Sequence, residues 1–130
     1  MSAKDTYRTP LSRVRSLGAA HSGTMHFWHQ RLTSVALIPL SIAFICIVIA
    51  LLGRDHAWTL QILASPLITI IMLLFIGTTI YHMWLGMQVI IEDYVHDELP
   101  KIMLLMGNTF FCVTVALACV YAVLQISFRV

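Results

Sequence analysis

The chain has 130 residues, of which 59% are hydrophobic and only 11% are charged, and its formal net charge is +2. Soluble domains carry about 25% charged residues, so this composition indicates a protein whose solvent is the lipid bilayer. Three apolar blocks use up most of the sequence, which excludes a separate soluble catalytic domain within these residues.

The predicted elements are an arm and three spans. Residues 1–30 mix serine, threonine, glycine and arginine without apolar periodicity, and we expect them to form an irregular arm. Apolar spans follow at about 32–53, 64–92 and 102–126, and each is long enough for the ~20 residues of a membrane-spanning helix. The sequence therefore predicts an all-α membrane protein, in which residues 1–130 form a single membrane-anchor domain with three transmembrane helices.

The basic residues predict the orientation of the chain in the membrane. Lysine and arginine near the ends of spans favour the cytoplasmic side. If the N-terminus is cytoplasmic and the C-terminus external, six of the eight basic residues are cytoplasmic, namely Lys4, Arg8, Arg13, Arg15, Arg31 and Lys101. The arm and the loop between the second and third spans are then expected on the cytoplasmic face.

His82 differs from the other five histidines, which lie near the predicted membrane surfaces. It lies about ten residues, or ~15 Å, from the cytoplasmic end of the second helix, and ionisable groups at that depth usually face a bundle interior or a cofactor. Gly86 falls on the same helix face and leaves a gap through which a flat porphyrin can approach the backbone. Two interpretations stay open: His82 forms a hydrogen bond to a neighbouring helix, or it is an axial ligand of a haem iron.

Haem ligation by His82 would require a second chain. No other span contains a histidine at a matching depth, so a second axial histidine would have to come from a partner. The chain would then form half of a heterodimeric helical bundle, with the haem shared at the interface.

Asp93 and Tyr94 end the same predicted helix, and Asp93 lies close to the His82 face. Quinone reduction at a membrane surface needs a donor for the quinone carbonyl and a proton route from water, which a tyrosine hydroxyl and a carboxylate can supply. The same residues are also typical of an ordinary helix end at the membrane interface. By themselves they favour an ordinary helix end over a quinone site.

A family resemblance bears on these alternatives. The run His82-Met83-Trp84-Leu85-Gly86-Met87-Gln88-Val89-Ile90-Ile91-Glu92-Asp93-Tyr94-Val95 resembles the H-x-W-x-G-M…DYV signature of the smaller hydrophobic anchor subunit of succinate dehydrogenase, a cytochrome b type of membrane subunit. The stretch Trp28-His29-Gln30-Arg31-Leu32-Thr33 resembles the entry to the first span in that family. The segment before the first helix is most similar to alphaproteobacterial members.

The resemblance implies roles for individual residues. His82 would be one axial ligand of a haem b shared with the larger anchor subunit, and Gly86 would pack beside the haem. Tyr94 would form a hydrogen bond to ubiquinone, and Asp93 would line the quinone pocket and its proton route. Arg31 would lie near the haem propionates, with His26 and His29 as alternatives in that segment.

The resemblance also implies the setting in which the chain works. Its partners would be the larger cytochrome b anchor subunit, an iron–sulfur subunit and a flavoprotein, together with ubiquinone and membrane lipids but no nucleic acid. Succinate oxidation would belong to the soluble subunits, so no catalytic residue is expected in this chain alone. The expected location is the bacterial cytoplasmic membrane rather than the mitochondrial inner membrane.

Two further functions stay open on the sequence. The chain could anchor another quinone-linked oxidoreductase that uses haem b, such as fumarate reductase. It could also be a structural or assembly membrane protein without a cofactor, in which His82 serves packing.

Overall fold

A computed structural model describes residues 22–128 of the chain. In that range the protein has four helices and no strand, and short connections join the helices. The helices are α1 Ser22–Leu51, α2 His56–Leu63, α3 Pro66–Tyr94 and α4 Glu98–Phe128. Helices α1, α3 and α4 are long and apolar enough to cross a membrane. The predicted all-α fold with three spanning helices is therefore confirmed.

Helix α1 begins at Ser22, ten residues before the predicted start of the first span at residue 32. Residues 22–30, which the sequence assigned to the irregular arm, are thus helical. Within this stretch the side chains of His26 and His29 form hydrogen bonds to α3, and such tertiary contacts stabilise a helix where apolar periodicity is weak. The rest of the predicted arm, residues 1–21, lies outside the described residues, as do Lys4, Arg8, Arg13, Arg15 and Arg129.

The connection from α1 to α3 contains the short helix α2, which the sequence did not predict. Gly53 adopts a positive φ of 72° after the end of α1, a conformation that favours glycine and is common just beyond helix C-termini. The Arg54 guanidinium lies 4.5 Å from the centre of the Trp58 ring, a cation–π contact. Trp58 belongs to α2, and tryptophan is common at membrane interfaces.

The ends of α3 and α4 differ little from the predicted spans. Helix α3 begins at Pro66, where the missing N–H of proline removes no helical hydrogen bond, and it ends at Tyr94. Three residues connect it to α4, which begins at Glu98, so that Pro100 lies in the first turn of α4. Pro100 is tolerated there for the same reason as Pro66.

Helix α3 packs against α1 on one side and against α4 on another. Among the described residues, only Leu85, Ile91, Cys112 and Thr69 are buried. Many large apolar side chains on the outer faces are exposed, as expected for helices whose solvent is lipid. The contact between α1 and α3 is the part of the fold that positions His82.

Candidate functional site

His82 lies half-buried on α3 and faces α1. Its Nδ1 atom is 2.8 Å from Oγ1 of Thr33 on α1. The same hydroxyl oxygen is 2.8 Å from the carbonyl oxygen of His29 and 3.0 Å from that of Gln30, both one turn earlier in α1. One threonine hydroxyl therefore joins the backbone of α1 to the imidazole on α3.

The proton count of this cluster favours one tautomer of His82. The hydroxyl of Thr33 has a single proton, and the two carbonyl oxygens can only accept one. The hydroxyl donates its proton to a backbone carbonyl of its own helix. Its oxygen can then only accept a hydrogen bond from His82, which requires an N–H at Nδ1. A neutral imidazole protonated at Nδ1 has its free lone pair at Nε2, the atom that would bind a metal.

The donor set fits a single axial ligand. Within residues 22–128, Nε2 of His82 forms no hydrogen bond to a protein group. No group of three or more His, Cys, Asp or Glu side chains that could hold a metal ion occurs in the same range. Histidines that bind metals commonly donate a hydrogen bond from their other ring nitrogen, and His82 in the favoured tautomer would donate in this way to Thr33. These residues fit a haem iron that receives one ligand from this chain.

Two further histidines of α1 contact α3 close to His82. His29 Nδ1 and the Tyr81 hydroxyl oxygen are 2.6 Å apart in a hydrogen bond. His26 donates from Nε2 to the carbonyl oxygen of Leu85 at 3.3 Å. Among the described residues, the N-terminal part of α1 is thus attached to α3 by three hydrogen bonds, including the one between Thr33 and His82.

Gly86 lies at the same helix contact, one turn after His82. A Cβ atom at Gly86 would lie 3.5 Å from Nε2 of Gln30, so the glycine lets the α1 side chain approach the backbone of α3. On the side where a Cβ would point, the expected gap is therefore occupied by Gln30. The Oε1 atom of Gln30 is buried without a hydrogen-bond partner in the described chain. The haem-packing role of Gly86 stays a prediction.

Arg31 lies two residues before Thr33 on α1 and is exposed. Its guanidinium lies 4.3 Å from the centre of the Phe27 ring, which belongs to the preceding turn. A side chain held by a cation–π contact on the outside of the helix remains available for an anionic partner. The contact neither supports nor opposes the predicted position near the haem propionates.

Tyr94 lies away from His82, at the end of α3. The offset of twelve residues corresponds to about 18 Å along the helix axis. Tyr94 is 79% exposed. It lines a groove of about 540 Å³ between α3 and α4, whose other walls are mainly apolar side chains, among them Met83, Met87, Met103 and Phe111. Asp93 is exposed beside it and does not line the groove.

Lys101, in the first turn of α4, contacts the last turn of α3. Its ammonium group donates a hydrogen bond to the carbonyl oxygen of Glu92 at 3.1 Å. A cation at this position interacts favourably with the last turn of α3, where backbone carbonyls lack helical partners. Among the described residues, the predicted site residues thus fall into two places: His82, Gly86 and Arg31 near the contact of α1 with α3, and Asp93 and Tyr94 at the end of α3.

Thr33 is the site residue that sequence reasoning missed. It stands in the quoted stretch from Trp28 to Thr33, four residues after His29, a spacing that permits a hydroxyl to bond the preceding turn. Nothing in that spacing says which residue of another helix the hydroxyl meets. Only the pairing of α1 with α3 brings it to His82.

Comparisons with known proteins agree with this description. The model of the family described as "Succinate dehydrogenase/Fumarate reductase transmembrane subunit" matches residues 5–122. The chain is 29% identical over 117 residues to the succinate dehydrogenase hydrophobic membrane anchor subunit of Rickettsia bellii, covering 90% of this chain and 94% of that one. It is 30% identical over 116 residues to the subunit of the same name from Paracoccus denitrificans, covering 89% of each.

A third relative comes from Reclinomonas americana. The chain is 32% identical over 84 residues to its succinate dehydrogenase membrane anchor subunit, covering 62% of this chain and 70% of that one. Rickettsia and Paracoccus are alphaproteobacterial genera, in line with the resemblance noted in the sequence. No solved structure matches the chain significantly.

Proposed function

This chain belongs to the family of succinate dehydrogenase/fumarate reductase transmembrane subunits, and we propose that it is a succinate dehydrogenase membrane anchor that supplies one axial ligand of a haem b and part of a quinone site. The relatives described above carry the name of succinate dehydrogenase, which favours that enzyme over fumarate reductase. The finer roles rest on the residues of this chain.

The hydrogen bond between Thr33 and His82 is the observation that carries the haem proposal. It engages Nδ1 of His82 at 2.8 Å and leaves Nε2 as the ligand atom. Haem b, when bound, supplies a one-electron redox centre. His82 would be one ligand of its iron, and the larger anchor subunit would supply the other. Arg31, exposed on the neighbouring helix, would attract the haem propionates by charge.

The quinone proposal rests on Tyr94 and the groove beside it. The exposed hydroxyl of Tyr94 would donate a hydrogen bond to a quinone carbonyl. The apolar groove between α3 and α4 has the chemistry to hold part of an isoprenoid tail. Asp93, exposed on the next residue, would carry protons from water.

The anchor function implies partners on the membrane surface. We propose that the chain, with the larger cytochrome b anchor subunit, docks the iron–sulfur and flavoprotein subunits to the bacterial cytoplasmic membrane, with its N-terminus in the cytoplasm. Succinate oxidation would occur on the flavoprotein. The part of the activity to which this chain contributes is the transfer of electrons to ubiquinone.

Purification of the chain from its membrane in mild detergent tests the proposal. We expect a flavoprotein, an iron–sulfur protein and a second hydrophobic subunit to copurify, and a reduced-minus-oxidised spectrum to contain a b-type α band. The preparation should oxidise succinate with ubiquinone faster than it reduces fumarate. Copurification without the b band would refute haem ligation, and the absence of both soluble subunits would refute the anchor function.

A further inference from the structure

We propose that Thr33 is a positioning residue for His82, whose hydroxyl accepts a hydrogen bond from Nδ1–H and directs Nε2 toward the haem iron. This inference rests on the proposed haem ligation by His82. It assigns to α1 a part in the haem site that differs from the predicted charge contact of Arg31.

The hydroxyl of Thr33 is held from both sides. Its proton is directed at the carbonyl oxygens of His29 and Gln30, at 2.8 and 3.0 Å, and its lone pair faces Nδ1 of His82 at 2.8 Å. In helices, threonine populates the rotamers in which Oγ1 can reach the carbonyls of the preceding turn. The acceptor is therefore oriented by α1 itself, before any contact with α3.

A second threonine of the same chain donates to its own helix and accepts from a neighbouring helix, and there the identity of the donor is certain. Thr109 on α4 donates to the carbonyl oxygen of Leu105 at 3.0 Å, and its Oγ1 accepts from the indole N–H of Trp84 on α3 at 3.1 Å. An indole nitrogen is a donor only. The pair of Thr33 and His82 repeats this geometry on the other side of α3, which supports Nδ1–H as the donor to Thr33.

The hydrogen bond between Thr33 and His82 is expected to matter more in a membrane than in water. Water is absent from the bilayer interior, so an N–H group that loses its protein acceptor is left unsatisfied. An acceptor at Nδ1–H also increases the basicity of the imidazole, which strengthens its bond to a metal and favours the oxidised iron. Loss of the Thr33 hydroxyl should therefore loosen the haem and raise its midpoint potential.

Four variants of the full complex separate these effects. Thr33→Val removes the hydroxyl at nearly constant shape, and Thr33→Ala removes it without adding any atom that could clash. Thr33→Ser keeps the hydroxyl. Tyr81→Phe is the matched control, because it removes the neighbouring hydrogen bond between α1 and α3, which joins Tyr81 and His29, and leaves Thr33 and His82 unchanged.

The readouts are the redox potential of the b-type α band, the electron paramagnetic resonance signal of the ferric haem, and haem transfer to apomyoglobin. We expect Thr33→Val and Thr33→Ala to raise the potential, to shift or broaden the ferric signal, and to lower haem affinity about 10- to 100-fold. Thr33→Ser and Tyr81→Phe should behave like the unaltered complex. If Thr33→Val does not assemble, Thr33→Ala carries the same comparison.

The outcomes distinguish this inference from the proposed function. An unaltered complex without a b-type α band would refute the proposed haem ligation. A complex with the band, in which removal of the Thr33 hydroxyl changes neither potential nor haem affinity, would overturn only the role of Thr33. Equal effects of Tyr81→Phe and Thr33→Val would also overturn it, because they would indicate general helix packing.

Discussion

Asn108 on α4 donates a hydrogen bond from Nδ2 to the backbone carbonyl oxygen of Trp84 on α3, at 3.1 Å. The indole of Trp84 donates in the opposite direction, to Thr109 at 3.1 Å. The thiol of Cys112 donates to the amide oxygen of Asn108, with 3.5 Å between Sγ and Oδ1. In lipid, apolar contact does not by itself favour helix association, so polar links of this kind are expected to matter.

We predict that Asn108→Leu weakens the packing of α3 against α4. The substitution removes the amide that donates to Trp84 and replaces it with an apolar side chain of similar size. Interhelical hydrogen bonds in membranes contribute about 0.6 kcal/mol on average and up to about 1.7 kcal/mol, so a decrease of about 1 kcal/mol in the free energy of unfolding is expected. Equilibrium unfolding of the purified complex in mixed micelles measures this decrease in the free energy of unfolding.

Thr114→Val is the control for Asn108→Leu. Thr114 is exposed on the same helix, and its hydroxyl donates only to the carbonyl oxygen of Phe110 in its own helix, at 2.8 Å. Its substitution should leave the contact with α3 intact. Equal stability of the Asn108→Leu and unaltered complexes would show that the bond to Trp84 contributes nothing measurable.

His82→Ala should remove or loosen the haem while the three spans remain inserted. Alanine supplies no ligand atom, and it is compatible with a helix in a membrane. The reduced-minus-oxidised spectrum should lose most of its b-type α band at unchanged amounts of the chain in the membrane. His56→Ala, at the exposed start of α2, should keep the band. An unchanged spectrum in His82→Ala would refute the assignment of His82.

Tyr94→Phe should reduce the rate of quinone reduction at least tenfold while succinate oxidation by an artificial acceptor that bypasses the quinone is kept. The reason is that phenylalanine preserves the wall of the groove and removes only the hydroxyl that would bind the quinone carbonyl. Tyr121→Phe, another exposed tyrosine on α4, provides the control. Equal losses in both assays would instead point to a role of Tyr94 in assembly.

Gly86 should tolerate alanine but not leucine. An added Cβ would lie 3.5 Å from Nε2 of Gln30, which is an ordinary van der Waals distance. The longer side chain of leucine would meet Gln30 and push α1 from α3, so the contact of Thr33 with His82 should be lost. We expect normal haem content in Gly86→Ala and a severalfold lower content in Gly86→Leu, measured as pyridine haemochrome.

Gly77→Leu tests whether that effect is local. Gly77 lies on the same helix, and nothing in the described chain lies within 4 Å of a Cβ added there. Normal haem content in this variant would assign the loss in Gly86→Leu to the contact with α1. If Gly86→Leu itself retained its haem, the close approach of α1 at Gly86 would be unimportant for the site.

The three spans could be predicted from the sequence because a bilayer requires long apolar helices, and length alone then defines them. The start of α1 at Ser22 and the helix α2 could not, because their residues show no apolar periodicity and their helical form depends on contacts or on the interface. Pro100 does not mark the start of α4, because proline in a first turn interrupts nothing.

The candidate site was predictable to a different extent at each residue. The depth of His82 and the run that ends at Tyr94 are properties of one helix, so they could be read along the chain. The roles of Thr33 and Gln30 depend on how α1 is rotated and shifted against α3, and no local pattern encodes that. For the same reason the contact of Gly86 with Gln30 could not be predicted, and the haem-packing role of Gly86 stays a prediction.

The small number of buried side chains has a consequence for mutational tolerance. In a soluble domain, large apolar residues of the interior are the positions least able to accept substitution. Here the described helices bury only Leu85, Ile91, Cys112 and Thr69, and many large apolar side chains are exposed. Those that face lipid and not a partner subunit contact fluid hydrocarbon, which adapts to their shape. Intolerance to substitution should therefore concentrate at small and polar positions, among them Thr33, Asn108 and, for side chains larger than alanine, Gly86.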